Sequence, residues 1–264
     1  MRYQKIFREN KGVFVPFVTL GDPSYEMSFE IIKTLIDAGV DALELGFAFS
    51  DPIADGPTIQ KSHLRALQNP INMRANFALL EKVRAYNARI PIGLLLYANL
   101  VHRFGIEDFY HACAQSGVDS VLVADVPMCE SDAYVHSAHK HCIAPVFIAS
   151  PNARPPTLEH IARSSTAYIY VLARTGVTGT HASISPQTHN LINDLKTLTQ
   201  TPCLLGFGIS KSEHAQQALQ MGAGGVIVGS AVVNLIETHL ENPTHMLARL
   251  GAFVQDMQVG LCYN

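Results

Sequence analysis

The sequence predicts one (β/α)8 barrel, a TIM barrel, spanning residues 1–264 as a single domain, with an extra N-terminal helix and long loops after strands two and six. Three observations carry that expectation. Apolar strand patterns and amphipathic helix patterns alternate strictly along the chain, and strict alternation means a parallel sheet. Eight strand candidates fit within 264 residues, the usual size of a closed barrel. A helix-ending glycine followed by a strand recurs three times, as AGVDALELG, SGVDSVLVAD and MGAGGVIVGS.

Residues 2–9 suit a short helix, and 13–19 (VFVPFVT) form an apolar, β-branched run of buried-strand length. Met27, Ile31, Ile32, Leu35 and Ile36 then recur at helical spacing before Gly39 ends the helix. The second strand follows at 42–46. Helices near 59–67 and 73–86 precede a strand at 92–97. Ile106, Phe109, Tyr110 and Cys113 mark another helix. Strands at 120–124, 144–148, 168–172, 203–207 and 225–228 complete the eight.

The composition narrows the class of partner. At 48% hydrophobic residues the chain can bury a large core, and its net charge of -3 gives no electrostatic footprint for nucleic acid or an anionic membrane. Five scattered cysteines, an odd number with no CxxC pair, argue against a disulfide framework and for a reducing, cytoplasmic setting. The first ten residues lack an apolar signal core, and no apolar run approaches the roughly 20 residues of a membrane span.

The second strand holds the most informative residue. Aligning the three repeats on Gly39, Gly117 and Gly222 puts Glu44 where the other two units carry Leu122 and Ile227. An ionised carboxylate moved out of water without partners costs several kcal/mol or more. Backbone donors could hold Glu44, but no Lys or Arg lies nearby in sequence, so an acid or base with a burial-raised pKa is the favoured reading. The loop after it, 46–57, carries Asp51 and Asp55, and a second long loop spans 174–186 with Gly176 and Gly179. Both belong on the C-terminal face of a barrel, where active sites are built.

That face also offers an anion site. Gly206-Phe207-Gly208-Ile209-Ser210 closes strand seven, and Gly229-Ser230 ends strand eight and opens a helix. Glycine turns let backbone N-H groups approach phosphate, and a helix N-terminus adds a favourable dipole. A tight turn is the plainer use of such glycines, and Ser210 with Glu213 also reads as a capping box. Asp125, after strand four, suits loop bracing at least as well as chemistry. Phe17, Tyr97 and Tyr170 end strands one, three and six, as core aromatics or as the walls of an apolar pocket. Of twelve histidines, His136, His139, His141 and His160 fall on amphipathic helices or their ends, and without HExxH or a Cys/His ligand set no metal is expected.

Together FVPFVTLGDP, DALELG, FSDP, ADGPTIQ, PIGLLLYANL, GVDSVLVADVP, GVTG, GFGIS and the Gly229-Ser230 pair resemble the tryptophan synthase alpha chain family, in family order over nearly the whole chain. The resemblance implies retro-aldol cleavage of indole-3-glycerol phosphate to indole and glyceraldehyde 3-phosphate, a carbon-carbon lyase step of tryptophan biosynthesis. It matches Glu44 to the general acid/base and Asp55 to the carboxylate that accepts the indole N-H. Phe17, Leu95, Tyr97, Leu122 and Tyr170 would surround the indole and glycerol portions, while Thr178, Gly179, Phe207, Gly208, Gly229 and Ser230 would hold phosphate and close a lid.

The resemblance implies no cofactor in this chain. It implies a beta-chain partner in an alpha2beta2 tetramer, with pyridoxal phosphate on the beta chain and Asp51, Pro52, Ala98, Asn99 and Pro127 near the interface. Phe47-Ala48 stands where the family usually has Ile-Pro, freeing a backbone rotation in the loop that carries Asp55. Two other readings are another sugar-phosphate barrel enzyme, which the Glu44 and Asp55 pair disfavours, and a non-catalytic alpha-like activator of a beta subunit, which has no need of those residues.

Overall fold

The computed structural model describes residues 2–70, 72–173, 186–206 and 208–262. Its strands are β1 (Val13–Thr19), β2 (Leu43–Gly46), β3 (Ile92–Leu96), β4 (Ser120–Val123), β5 (Ala144–Pro145), β6 (Ile148–Ala149), β7 (Ile169–Leu172), β8 (Cys203–Gly206) and β9 (Gly225–Val228). All pair in parallel, in the order β5-β4-β3-β2-β1-β9-β8-β7-β6.

β5 and β6 are two halves of one passage of the chain. Val146 N-H donates to Val121 O at 3.0 Å on the β4 side, and Tyr170 N-H donates to Phe147 O at 3.0 Å on the β7 side. The sheet thereby closes, and the (β/α)8 barrel expected from the alternation is the fold observed. The expected fifth strand at 144–148 is split because the chain changes pairing partner at Val146 and Phe147, and Pro145 has no N-H to give the ladder.

Because side chains alternate across a strand, each strand feeds two cores. Phe14, Leu43, Leu45, Leu94, Val171 and Val226 face outward into the layer beneath the helices. Val13, Val15, Leu122, Tyr168, Tyr170 and Ile227 fill the barrel interior. Burial on both faces explains why the strands read as nearly continuous apolar runs. Glu44 lies level with Phe17 on β1 and Gly93 on β3, so it occupies an interior position like Leu122 and Ile227. The repeat alignment therefore holds in space. Gly39, Gly117 and Gly222 all have positive φ (99°, 74° and 88°), the left-handed conformation that ends a helix with glycine.

The helices are α1 (Arg2–Glu9), α2 (Tyr25–Asp37), α3 (Pro57–Leu67), α4 (Met73–Tyr86), α5 (Ala98–Phe104), α6 (Ile106–Gln115), α7 (Asp132–Lys140), α8 (Pro155–Ser164), α9 (Pro186–Leu198), α10 (Ser212–Gln220), α11 (Ser230–Thr238) and α12 (Pro243–Cys262). The predicted N-terminal helix, α1, sends Tyr3 into the interior cluster, its ring 5.5 Å from that of Tyr168. Among the described residues no helix is long and apolar enough to cross a membrane.

Candidate active site

One cavity lies at the C-terminal ends of the strands. It is lined by Glu44 and Asp55, by Phe17, Leu95 and Tyr170, by Ala54, Ile59, Ala124, Ile148 and Ile227, and by two backbone turns, Gly208–Ser210 and Gly229–Ala231. Its wall is mostly apolar, with both carboxylates on it. Space above the strands is kept by glycine: a Cβ at Gly46 would stand 2.6 Å from Phe17 Cζ, so only glycine leaves that ring its place at the cavity floor.

Glu44 is 1% exposed. Its Oε1 accepts the Tyr168 hydroxyl at 2.8 Å, whereas its buried Oε2 has no hydrogen-bond partner among the described residues. No cation pairs with it there. Burial pushes its pKa up to about 8, with the Tyr168 hydrogen bond opposing and the Asp55 charge reinforcing the shift. At neutral pH the group therefore carries a proton it can deliver. The Tyr168 hydroxyl is itself held protonated chiefly by burial, so it remains a donor.

Asp55 is presented differently, from the loop between β2 and α3. That loop is pinned at several points. Phe47 is fully buried, its ring edge-on to Phe77 at 5.6 Å and to Phe109 at 6.4 Å. This anchor adjoins Ala48. The Phe49 ring stacks on Tyr97 at 5.2 Å. The Tyr97 hydroxyl accepts Ala54 N-H at 3.1 Å and donates to Asp55 Oδ2 at 2.6 Å. Gln60, one turn into α3, donates to Asp55 O at 2.8 Å.

From the second turn of α3, His63 accepts Phe49 N-H on Nδ1 at 3.0 Å, so its ring proton is on Nε2, which lies 3.3 Å from Asp55 Oδ2. That Nε2 is buried and off the line of a hydrogen bond in this geometry.

The structure brings Glu44, Asp55, Phe17, Leu95, Tyr170, Gly208, Gly229 and Ser230 onto one cavity. Two expected lining residues are placed elsewhere. Tyr97 is 1% exposed and braces Asp55 from behind through its hydroxyl. Leu122 faces an adjoining apolar cavity with Val146 and Leu172, which shares Ala54, Ala124 and Ile148 with the first. Thr178, Gly179 and Phe207, with the whole segment 174–185, lie outside the described residues. The capping box at Ser210 does not form. α10 begins at Ser212 with Lys211 as its cap, so Ser210 is one residue too early; its N-H donates to His214 Nδ1 at 3.3 Å. Asp125 braces a loop, accepting Ala98 N-H at the start of α5 at 2.7 Å.

Two neighbours of the carboxylates, Tyr168 and His63, carry no mark of their own in the motifs. Tyr168 shares a strand face with Tyr170, so period-two alternation carried its signal. His63 had none, being eight positions from Asp55 across a loop-to-helix junction.

The family model for the tryptophan synthase alpha chain matches residues 3–261. A tryptophan synthase alpha chain of Helicobacter pylori (strain HPAG1) is 55% identical over 261 residues, covering 97% of this chain and 99% of the relative. One from Vibrio cholerae is 51% identical over 261 residues, covering 97% of both chains. Among solved structures, a chain from the tryptophan synthase a2b2 complex of Pyrococcus furiosus superposes with a TM-score of 0.86 at 33% identity, covering 95% of this chain and 99% of the other. With matched fold, matched length and identity well above 30%, the chain belongs to the tryptophan synthase alpha chain family.

Proposed function

We propose that this chain cleaves indole-3-glycerol phosphate to indole and glyceraldehyde 3-phosphate, with Glu44 as general acid and base and Asp55 as the acceptor of the indole N-H. The carrying observation is the pair of carboxylates on one apolar cavity, one of them desolvated and protonated at neutral pH.

Glu44 delivers its proton to the ring carbon that bears the glycerol side chain, forming a C-H bond and leaving positive charge on the ring nitrogen. Asp55 stabilises that charge from its braced position on the loop, an electrostatic contribution strengthened by the low-dielectric wall. The Glu44 carboxylate then removes the proton of the side-chain hydroxyl. As that C-O becomes C=O, the carbon-carbon bond breaks and its electrons restore the aromatic ring. The proton count closes with Glu44 protonated again. The phosphate is taken by the N-terminus of α11, whose first N-H groups have no intrahelical acceptor, and by the Gly208–Ser210 turn.

The chain's partner is a beta chain, as in the a2b2 complex of the Pyrococcus furiosus relative, and the family resemblance puts pyridoxal phosphate on that partner. Ile53, 74% exposed on the loop beside Asp51 and Pro52, suits the apolar core of that contact. The test is indole release from indole-3-glycerol phosphate by the purified chain, with and without a cognate beta chain. Turnover that rises with the partner supports the reading. A folded chain that binds phosphate yet releases no indole in either condition refutes it.

A further inference from the structure

His63 is a buried polar group that the reaction above does not use. It is 2% exposed, and its Nε2 has no hydrogen-bond partner although it stands 3.3 Å from Asp55 Oδ2. A buried donor left unmade costs about 1–3 kcal/mol, so an off-line N-H facing a carboxylate needs a reason. The geometry supplies one. Phe49 N-H fixes the ring's tautomer from one side, and the Tyr97 ring packs against the imidazole with centroids 6.5 Å apart. The Nε2-H thereby stands beside, though off the line of, the same oxygen, Oδ2, that already accepts the Tyr97 hydroxyl. Both protein donors converge on Oδ2, leaving Oδ1 without a partner among the described residues.

We propose that His63 is a positioning residue for Asp55. Its Nε2-H and the Tyr97 hydroxyl hold Oδ2 from two directions, which turns Oδ1 toward the ring N-H of the substrate. The contact shortens to a hydrogen bond when the charge on the ring nitrogen draws the carboxylate into line. This rests on reading Asp55 as the N-H acceptor. It predicts that the energetic share of His63 is realised in the transition state, hence in kcat, because only there does the ring nitrogen carry charge.

The two nitrogens can be mimicked separately. In His63→Gln the side-chain amide reaches the Nε2 position and keeps a donor toward Asp55. In His63→Asn the side-chain oxygen falls near the Nδ1 position and keeps the acceptor for Phe49 N-H but loses the donor. With indole-3-glycerol phosphate as the probe, His63→Gln should retain kcat within about threefold, while His63→Asn should lose about tenfold or more in kcat with KM little changed.

Equal kcat in the two single variants, with Asp55→Asn inactive, overturns the role of His63 and leaves that of Asp55 standing. An active Asp55→Asn overturns both. Should either variant misfold, long-range 1H-15N spectra of the wild-type imidazoles decide the matter. A proton on Nε2 of His63, with a shift that moves on substrate binding, supports the proposal; a proton on Nδ1, or no response to substrate, overturns it.

Discussion

Replacing Glu44 with glutamine should separate the stability of this barrel from its chemistry. An unfolded glutamate titrates near 4.5, whereas burial raises the folded group to about 8. Between those values the folded chain holds a proton that the unfolded chain has released. Stability therefore falls as pH rises through that window and levels off above it. The gap corresponds to about 5 kcal/mol at most, at roughly 1.4 kcal/mol per pH unit. Glutamine has nearly the same shape, keeps an oxygen for the Tyr168 hydroxyl, and never ionises. At pH 5, where Glu44 is protonated in the folded chain, Glu44→Gln and wild type should differ little.

At pH 9 the variant should be more stable by several kcal/mol. Because the comparison is between two chains at each pH, the other titrating groups cancel. With no tryptophan in the chain, urea unfolding followed by far-UV circular dichroism is a suitable assay. The same variant should release indole orders of magnitude more slowly, since it has no proton to give at the ring carbon. A stability difference that stays flat within about 1 kcal/mol from pH 5 to pH 9 would refute the account of Glu44 as a desolvated acid.

Tyr97→Phe removes both the donor to Asp55 Oδ2 and the acceptor for Ala54 N-H. It should lower kcat for indole release about tenfold and cost about 1–2 kcal/mol in urea unfolding, the cost expected for lost hydrogen bonds at a buried site. Unchanged kcat would place Asp55 outside the chemistry of the Tyr97 bond. Arg65→Met should be more damaging to the fold. Arg65 meets Asp22 in a bidentate pair at 2.7 and 2.8 Å, and Asp22 is 2% exposed. Removing one partner of such a pair costs about 3–5 kcal/mol. Burial already raises the pKa of Asp22 against the pull of Arg65, so the loss should shrink as pH falls and Asp22 takes up a proton. A loss independent of pH, followed by denaturant unfolding at pH 4.5 and pH 8, would contradict this.

What could be read from the chain beforehand was what local pattern controls. Strand-helix alternation and the three positive-φ glycines gave the barrel, and the repeat register placed Glu44 inside it because interior and exterior positions alternate strictly. Where pattern and tertiary context part company, the reading failed in specific ways. α5 was not anticipated because it buries only Val101, which leaves no apolar stripe to detect. The split between β5 and β6 depends on which neighbour each backbone group meets, and that is invisible in one strand's composition. Ser210 fits the capping pattern in sequence, but the turn that lines the cavity carries it outside the helix. His63 shows the same limit from the other side: nothing in its own segment marks it, and its significance lies in an imidazole edge meeting a carboxylate delivered by a different stretch of chain.

The two carboxylates owe their different characters to where the fold mounts them. Glu44 projects from a strand whose position in the barrel is set by neighbours on both sides, so it cannot retreat to solvent and instead keeps its proton. Asp55 sits on a loop, with the Tyr97 hydroxyl and the His63 imidazole at one oxygen. Asp55 is also buried, at 8% exposed, but its Oδ2 accepts the Tyr97 hydroxyl, whereas Glu44 Oε2 has no hydrogen-bond partner among the described residues. The proposed reaction needs the two settings to meet at one cavity, and the strand ends of β2 and β3 are where they do, since Glu44 lies on β2, Tyr97 follows β3, and the loop leaving β2 carries Asp55. Shortening that loop so that Asp55 is lost should therefore abolish indole release, while a pH titration of the folded variant should still find the pKa of Glu44 above the ordinary carboxylate range, because burial is its largest cause and Asp55 a lesser one.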